Sequence, residues 1–240
     1  MGLLVAKFGL SPILFAQGTF VRRVVPLLSE PEGLRTGVDG SGEILRLLIL
    51  GDSSAAGVGV TNQSDALLGK LVARLAWHYE VHWRLIAKTG ATSISTLQYL
   101  RTIPEEKYDA VLVSLGVNDV TTGRSKKGFL ADQNAIVDLL QNKFGAVLVI
   151  ISGLPPIGRF PALPQPLRWY LGAQSRRFCA ARESLVGDRA GCEYLKLDEN
   201  FDPALMAPDG FHPGAEHYTS WAENAARLIT DKFAGRISRN

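Results

Sequence analysis

Apolar residues fall along the chain in two alternating rhythms. Short runs of strand length are almost wholly apolar, and the longer stretches between them return an apolar residue every third or fourth position. Ile44 to Leu50 is the first such run and ends at Gly51-Asp52. Leu67, Leu68, Leu71, Val72, Leu75 and Ala76 follow at helical spacing, which predicts an amphipathic helix. Val81 to Ala87, Ala110 to Leu115, Ala146 to Ile151 and a shorter Tyr194 to Leu197 repeat the strand pattern. Ser93 to Arg101, Leu130 to Phe144, Arg168 to Val186 and Ala215 to Phe233 repeat the helical one. Buried strands alternating with helices predict an α/β fold, a central parallel sheet covered by helices on both faces.

Three segments stand outside this rhythm. Residues 3 to 16 are mostly apolar, but Lys7 and Pro12 interrupt them and the stretch falls short of the ~18 to 20 residues that span a bilayer. A secretory signal is not expected either, because Lys7 lies inside the run and Phe15-Ala16-Gln17 is a poor cleavage site. Ala6 stands where N-myristoylation after Gly2 needs Ser or Thr. The segment, with Arg22 and Arg23 behind it, is expected to pack on the domain as a helix, with peripheral contact to a membrane surface as the alternative. Residues 29 to 43, holding Pro31, Gly33, Gly37, Gly40 and Gly42, read as a connector. This divides the chain into an N-terminal segment over 1–42 and one domain over 43–240. Pro155 to Pro166 contains five of the twelve prolines and predicts a long structured loop.

Composition narrows the class further. At 240 residues, with 46% hydrophobic and 20% charged, the chain is no disordered segment, collagen-like fibre or coiled coil. A net charge of +3 is too mild to predict a nucleic-acid surface. Two cysteines, Cys179 and Cys192, make neither a disulfide framework nor a zinc site. The expected location is the cytoplasm, with membrane-peripheral placement or secretion as alternatives.

Ligands of an open parallel sheet bind beyond the carboxyl ends of its strands. Four segments there carry polar groups on tight turns: Gly51-Asp52-Ser53-Ser54, Thr89-Gly90-Ala91-Thr92, Gly116-Val117-Asn118-Asp119 and Asp209-Gly210-Phe211-His212-Pro213. A serine hydroxyl, an amide beside glycine, a carboxamide, and an aspartate with a histidine three residues on supply the parts of an acyl-transfer site. Serine also caps helices at such turns, and Asn118-Asp119 or Asp209-Gly210 alone would pass as ordinary turns. Their joint occurrence, with a strand before each of the first three, favours chemistry. Asp119 is left outside the catalytic set as a cap.

These four segments, at positions 51 to 213, resemble the conserved blocks of the SGNH (GDSL-type) hydrolases, which are esterases and lipases of flavodoxin-like fold. The resemblance implies a three-layer α/β/α sandwich and a serine esterase acting on small acyl or aryl esters, with no cofactor or metal. It implies Ser53 as nucleophile, His212 as base and Asp209 as its orienter, with the amides of Ser53 and Gly90 and the Asn118 side chain as oxyanion hole. Ser54 stands where the family has leucine, and Lys88-Thr89 precede Gly90 where many relatives carry Asn or a small residue. Ile157, Phe160 and Leu163 on the proline-rich loop are candidates for the wall of an acyl pocket. Lysophospholipase, thioesterase and carbohydrate acetyl esterase activities are the alternatives within the family, and a flavodoxin-like binding module is the non-enzymatic one.

Rival motifs fail. Gly57-Val58-Gly59 begins a dinucleotide fingerprint but Asn62 replaces its third glycine, and Gly69-Lys70-Leu71 lacks the rest of a P-loop. Gly51-Asp52-Ser53-Ser54-Ala55 is a defective nucleophile elbow, with one strand before it where an α/β-hydrolase has several. His78 and His82 have a zinc-like spacing without a metalloprotease glutamate in place. His217, five residues after His212, is expected to point to another face and is the one rival base.

Overall fold

A computed structural model describes residues 9–187, 189–197 and 201–237; residues 3–8 of the N-terminal apolar segment lie outside them. The middle of the sheet is β2 (Glu43–Gly51), where successive side chains point to opposite faces. Leu45, Leu47 and Ile49 enter one apolar cluster with α3 (Leu67–Leu75) and α8 (Ala215–Ile237). Leu48 and Leu50 enter a second with α4 (Ser93–Thr102) and α6 (Lys126–Asn142). The strands β4 (Ala110–Ser114) and β5 (Leu148–Ser152) alternate between the same two clusters, so no position of these central strands is left for water. Continuous apolar runs are what such doubly covered strands require.

Among the described residues six strands form one sheet, completed by β1 (Thr36–Asp39), β3 (Tyr79–Ala87) and β6 (Cys192–Leu195), in the order β1-β3-β2-β4-β5-β6. All pairs are parallel except β1 with β3, where Thr36 lies opposite Arg84. Apart from β1, the order is that of the flavodoxin-like sheet, whose strand succession reverses at its first strand. Here the reversal lies between β2 and β4, and the crevice beyond their carboxyl ends is where the fold leaves room for a ligand. The chain is thus the α/β/α sandwich that the pattern predicts.

The connector expected over 29–43 is partly strand, because β1 lies within it, so a boundary at residue 42 runs through the sheet. The segment is also tied to the end of β3. Arg35 donates to the Ala87 carbonyl at 2.7 Å, and Glu30 accepts from the Thr89 amide at 3.0 Å and hydroxyl at 2.7 Å.

Ahead of it, α1 (Ser11–Val24) ends where Pro26 forces Val25 into extended backbone. One face of α1 packs on α7 (Leu167–Gly187) and the proline-rich loop. Leu14, Val21 and Val25 join a third cluster containing Leu163, Leu167 and Leu171, while Gln17 donates to the Gln165 carbonyl and accepts from the Leu167 amide. Cys179 and Cys192 are both free.

Candidate active site

β2 must turn abruptly where it leaves the sheet. A Cβ on Gly51 would lie 2.3 Å from the Ser114 carbonyl of β4 and 2.6 Å from the Ala55 methyl, so glycine alone fits there. Asp52 then caps the short helix α2 (Ser53–Ala56) by accepting the Ser54 amide at 3.1 Å. Because Asp52 does the capping, the Ser53 hydroxyl is released toward the crevice.

The Ser53 Oγ meets His212 Nε2 at 2.9 Å. On the other side of the ring, His212 Nδ1 meets the Asp209 carboxylate at 2.5 Å. Asp209 also accepts the amides of Phe211 at 2.9 Å and His212 at 3.0 Å, so one buried side chain folds its own turn and orients the imidazole. Burial alone would push the Asp209 carboxyl up, but these hydrogen bonds, led by that of the His212 ring, hold it below the ordinary carboxylate range. It therefore remains an anion beside the ring. The loop is fixed from outside as well: Ala162 on the proline-rich loop donates its amide to the Gly210 carbonyl at 3.2 Å.

Asn118 lies on α5 (Val117–Thr121), the short helix after β4, and its Nδ2 donates to the Ala91 carbonyl at 2.9 Å. A carboxamide nitrogen has two hydrogens, so one N–H is held while the other is spare for a ligand. Gly90 precedes Ala91 with φ +82, a left-handed backbone in which glycine is favoured, although a Cβ there would meet nothing within 4 Å. Gly90 is exposed and is not among the residues lining the cavity described below; the Asn118 to Ala91 bond brings its loop alongside.

Two buried braces behind Asn118 escape the sequence reading. Asp119 accepts the Ser93 amide and hydroxyl, the latter at 2.8 Å, and Gln133 donates to the same hydroxyl at 2.7 Å. The role found for Asp119 is this tie between α4 and α5, in place of the cap expected from the sequence. Arg182 of α7, wholly buried, donates to the Leu115 carbonyl at 2.6 Å and to that of Ser152, and lies over the Phe129 ring. It thereby pins the carboxyl ends of β4 and β5, from which the Asn118 loop and the proline-rich loop depart.

Ser53 and Asn118 line one cavity of about 760 Å³. Leu154, Phe160, Phe201, Met206 and Phe211 form much of its apolar wall. Ile157 and Leu163, expected to share that wall, do not line it: both are buried in the third cluster, and Phe160 alone of the three belongs to cluster and cavity at once. His217 also lines the cavity, contrary to expectation, and stacks on Phe201 at 4.9 Å between centroids. His82 pairs with Glu80 at 2.7 Å on β3, away from this cavity's lining.

Asp52 is a further cavity residue that the sequence does not single out. Burial raises its carboxyl from the ordinary 3.8 to about 7, against opposing effects from the Ser54 amide and the His212 charge. Between those two values the folded chain keeps a proton that the unfolded chain has lost, so this group withdraws stability as pH rises from about 4 to 7. The melting-temperature advantage of Asp52→Asn over the native chain is therefore expected to grow across that window and level off above it. A difference independent of pH would mean that Asp52 is ionised in the fold throughout.

Fold and geometry together define a class: a carboxylic ester hydrolase built on a doubly wound sheet. The sequence profile of the GDSL-like lipase/acylhydrolase family matches residues 49–219, and the chain belongs to that family. It is similar to the GDSL-like esterase Rv1075c of Mycobacterium tuberculosis, with 27% identity across 97% of this chain and 80% of that protein. Among solved structures it resembles the psychrotrophic esterase EstA from Pseudoalteromonas sp., at a TM-score of 0.60 and 21% identity over 79% of this chain and 98% of the other. It also resembles Est24, a carbohydrate acetylesterase from Sinorhizobium meliloti, at a TM-score of 0.59 and 17% identity over 79% and 100%. At those identities the two structures speak for the fold.

Proposed function

We propose that the protein hydrolyses small acyl or aryl carboxylic esters through an acyl-enzyme on Ser53. The observation that carries this reading is the single hydrogen-bonded chain from Ser53 through His212 to Asp209. In it, Ser53 Oγ attacks the ester carbonyl while its proton passes to His212 Nε2, and Asp209 stabilises the imidazolium that results. The tetrahedral oxyanion is received by the Ser53 and Gly90 amides and the spare Asn118 N–H. Collapse breaks the bond to the alcohol, which leaves with the proton from His212. Water then loses a proton to His212 and attacks the acyl group, freeing the carboxylic acid and restoring Ser53.

The cavity has room for such a substrate, since about 760 Å³ is of the size that holds a small organic molecule. A carbohydrate acetyl ester is the second reading, favoured by Ser220, Asn224 and Arg227, which present a polar stripe of α8 to the same cavity. A panel of acyl chain lengths run beside an acetylated sugar separates the two. Phe160→Ala, which opens the wall, is expected to shift the preference toward longer acyl chains by roughly tenfold or more. Leu163→Ala is expected to cost about 2 to 5 kcal/mol of stability and leave the profile in place. Faster turnover of the sugar would favour the second reading, and a folded protein inert toward the whole panel would overturn the proposal.

A further inference from the structure

The first 29 residues contain Lys7, Arg22 and Arg23 and no Asp or Glu, so the chain's whole net charge of +3 resides there and the remainder is balanced. Two stripes run along α1. Leu14, Gln17 and Val21 meet the domain, as described above. Ile13, Ala16, Phe20 and Val24, spaced three and four residues apart on the neighbouring stripe, face away from it. Ile13 is 48% exposed, Phe20 58% and Val24 52%, and Leu27, just beyond the helix, is 97% exposed. Trp169, in the first turn of α7 beside the Gln17 contact, is half exposed too. Large apolar side chains aligned along one surface helix of a water-facing protein call for a partner.

The charge at the edge of the stripe selects that partner. We propose that α1 docks the protein on an anionic membrane surface, lying in the headgroup plane with Ile13, Phe20, Val24 and Leu27 turned into the lipid. Arg23, exposed, borders the stripe and reaches to anionic headgroups, and Arg22, exposed on the far side of the helix, adds its charge to the same field. No helix among the described residues is long and apolar enough to cross a membrane, so the contact is peripheral. A second copy of the chain is a poorer occupant, because a two-fold contact would bring the basic edge against itself with no acid to meet it.

Co-sedimentation of the full chain with vesicles tests the proposal, using phosphatidylcholine alone and phosphatidylcholine mixed with phosphatidylserine. Binding to the mixed vesicles, weakened by salt, is the expected result. Neutralising both arginines as Arg22→Gln with Arg23→Gln is expected to lower partitioning about thirtyfold. Phe20→Ser with Val24→Ser is expected to abolish it, and both pairs should leave hydrolysis of a soluble ester unchanged, since neither touches the cavity. Absence of binding to the anionic vesicles, or binding that neither pair weakens, would overturn the inference. So would a dimer of the native chain that Phe20→Ser with Val24→Ser returns to monomer, because the face would then belong to a second copy.

Discussion

Ser53→Ala and His212→Ala are each expected to lower kcat for ester hydrolysis by about 10⁴ to 10⁶-fold, and the double variant to be no worse than either alone. The reason is the shared hydrogen bond of 2.9 Å: a hydroxyl without its base is not ionised, and a base without the hydroxyl has nothing to activate. Asp209→Asn is expected to lose less, about 10⁴-fold, because the ring keeps its neighbours but not the anion that steadies it. His217→Ala should stay near native. The ring of His217 stacks on Phe201, while the hydrogen bond to Ser53 comes from His212. Steady-state kinetics on one soluble ester decides the matter, and an active His212→Ala beside an inert His217→Ala would reassign the base.

Asn118→Ala is expected to lower kcat by about 10² to 10³-fold with little change in KM, the cost of one donor that acts on the transition state alone. The geometry gives this expectation its force. One N–H of the carboxamide is fixed on the Ala91 carbonyl, and the loop behind it is held by the Asp119–Ser93 contact and by Arg182. A donor held on several sides is already aimed when charge develops, so little reorganisation remains to be done. An unchanged kcat would leave Asn118 as a brace between two loops and the oxyanion without its side-chain donor.

Much of this was legible in the chain because each feature announced itself locally. The central strands are buried on both faces over most of their length, so their sequences are almost wholly apolar, and their positions follow within a residue or two. β1 was not legible. Thr36-Gly37-Val38-Asp39 lies at an exposed sheet edge and holds one large apolar residue, so it resembles the glycine-rich connector around it. Arg182 was hidden for the opposite reason: a cation in a helix reads as a solvated position, and its partners are main-chain carbonyls 67 and 30 residues away.

The loop that carries Phe160 shows a finer limit. Ile157, Phe160 and Leu163 are all apolar, and their spacing along a proline-rich loop with a tight turn at Ile157–Arg159 carries no periodicity that marks Phe160 as the one reaching the cavity. Five residues of continuous helix would turn His217 away from His212. The helix starts at Ala215, so Pro213 and Gly214 lie outside it and the count does not carry across.

Ser53 and His212 are 159 residues apart, one behind the first strand of the parallel set and the other just ahead of the last helix. A chain emerging from the ribosome therefore exposes its serine long before the imidazole exists. A partly folded chain is in the same position, since contacts between such distant segments form late. The two groups meet only after the sheet has closed over both, so the reactive hydroxyl is born silent and is switched on by the completion of the fold itself.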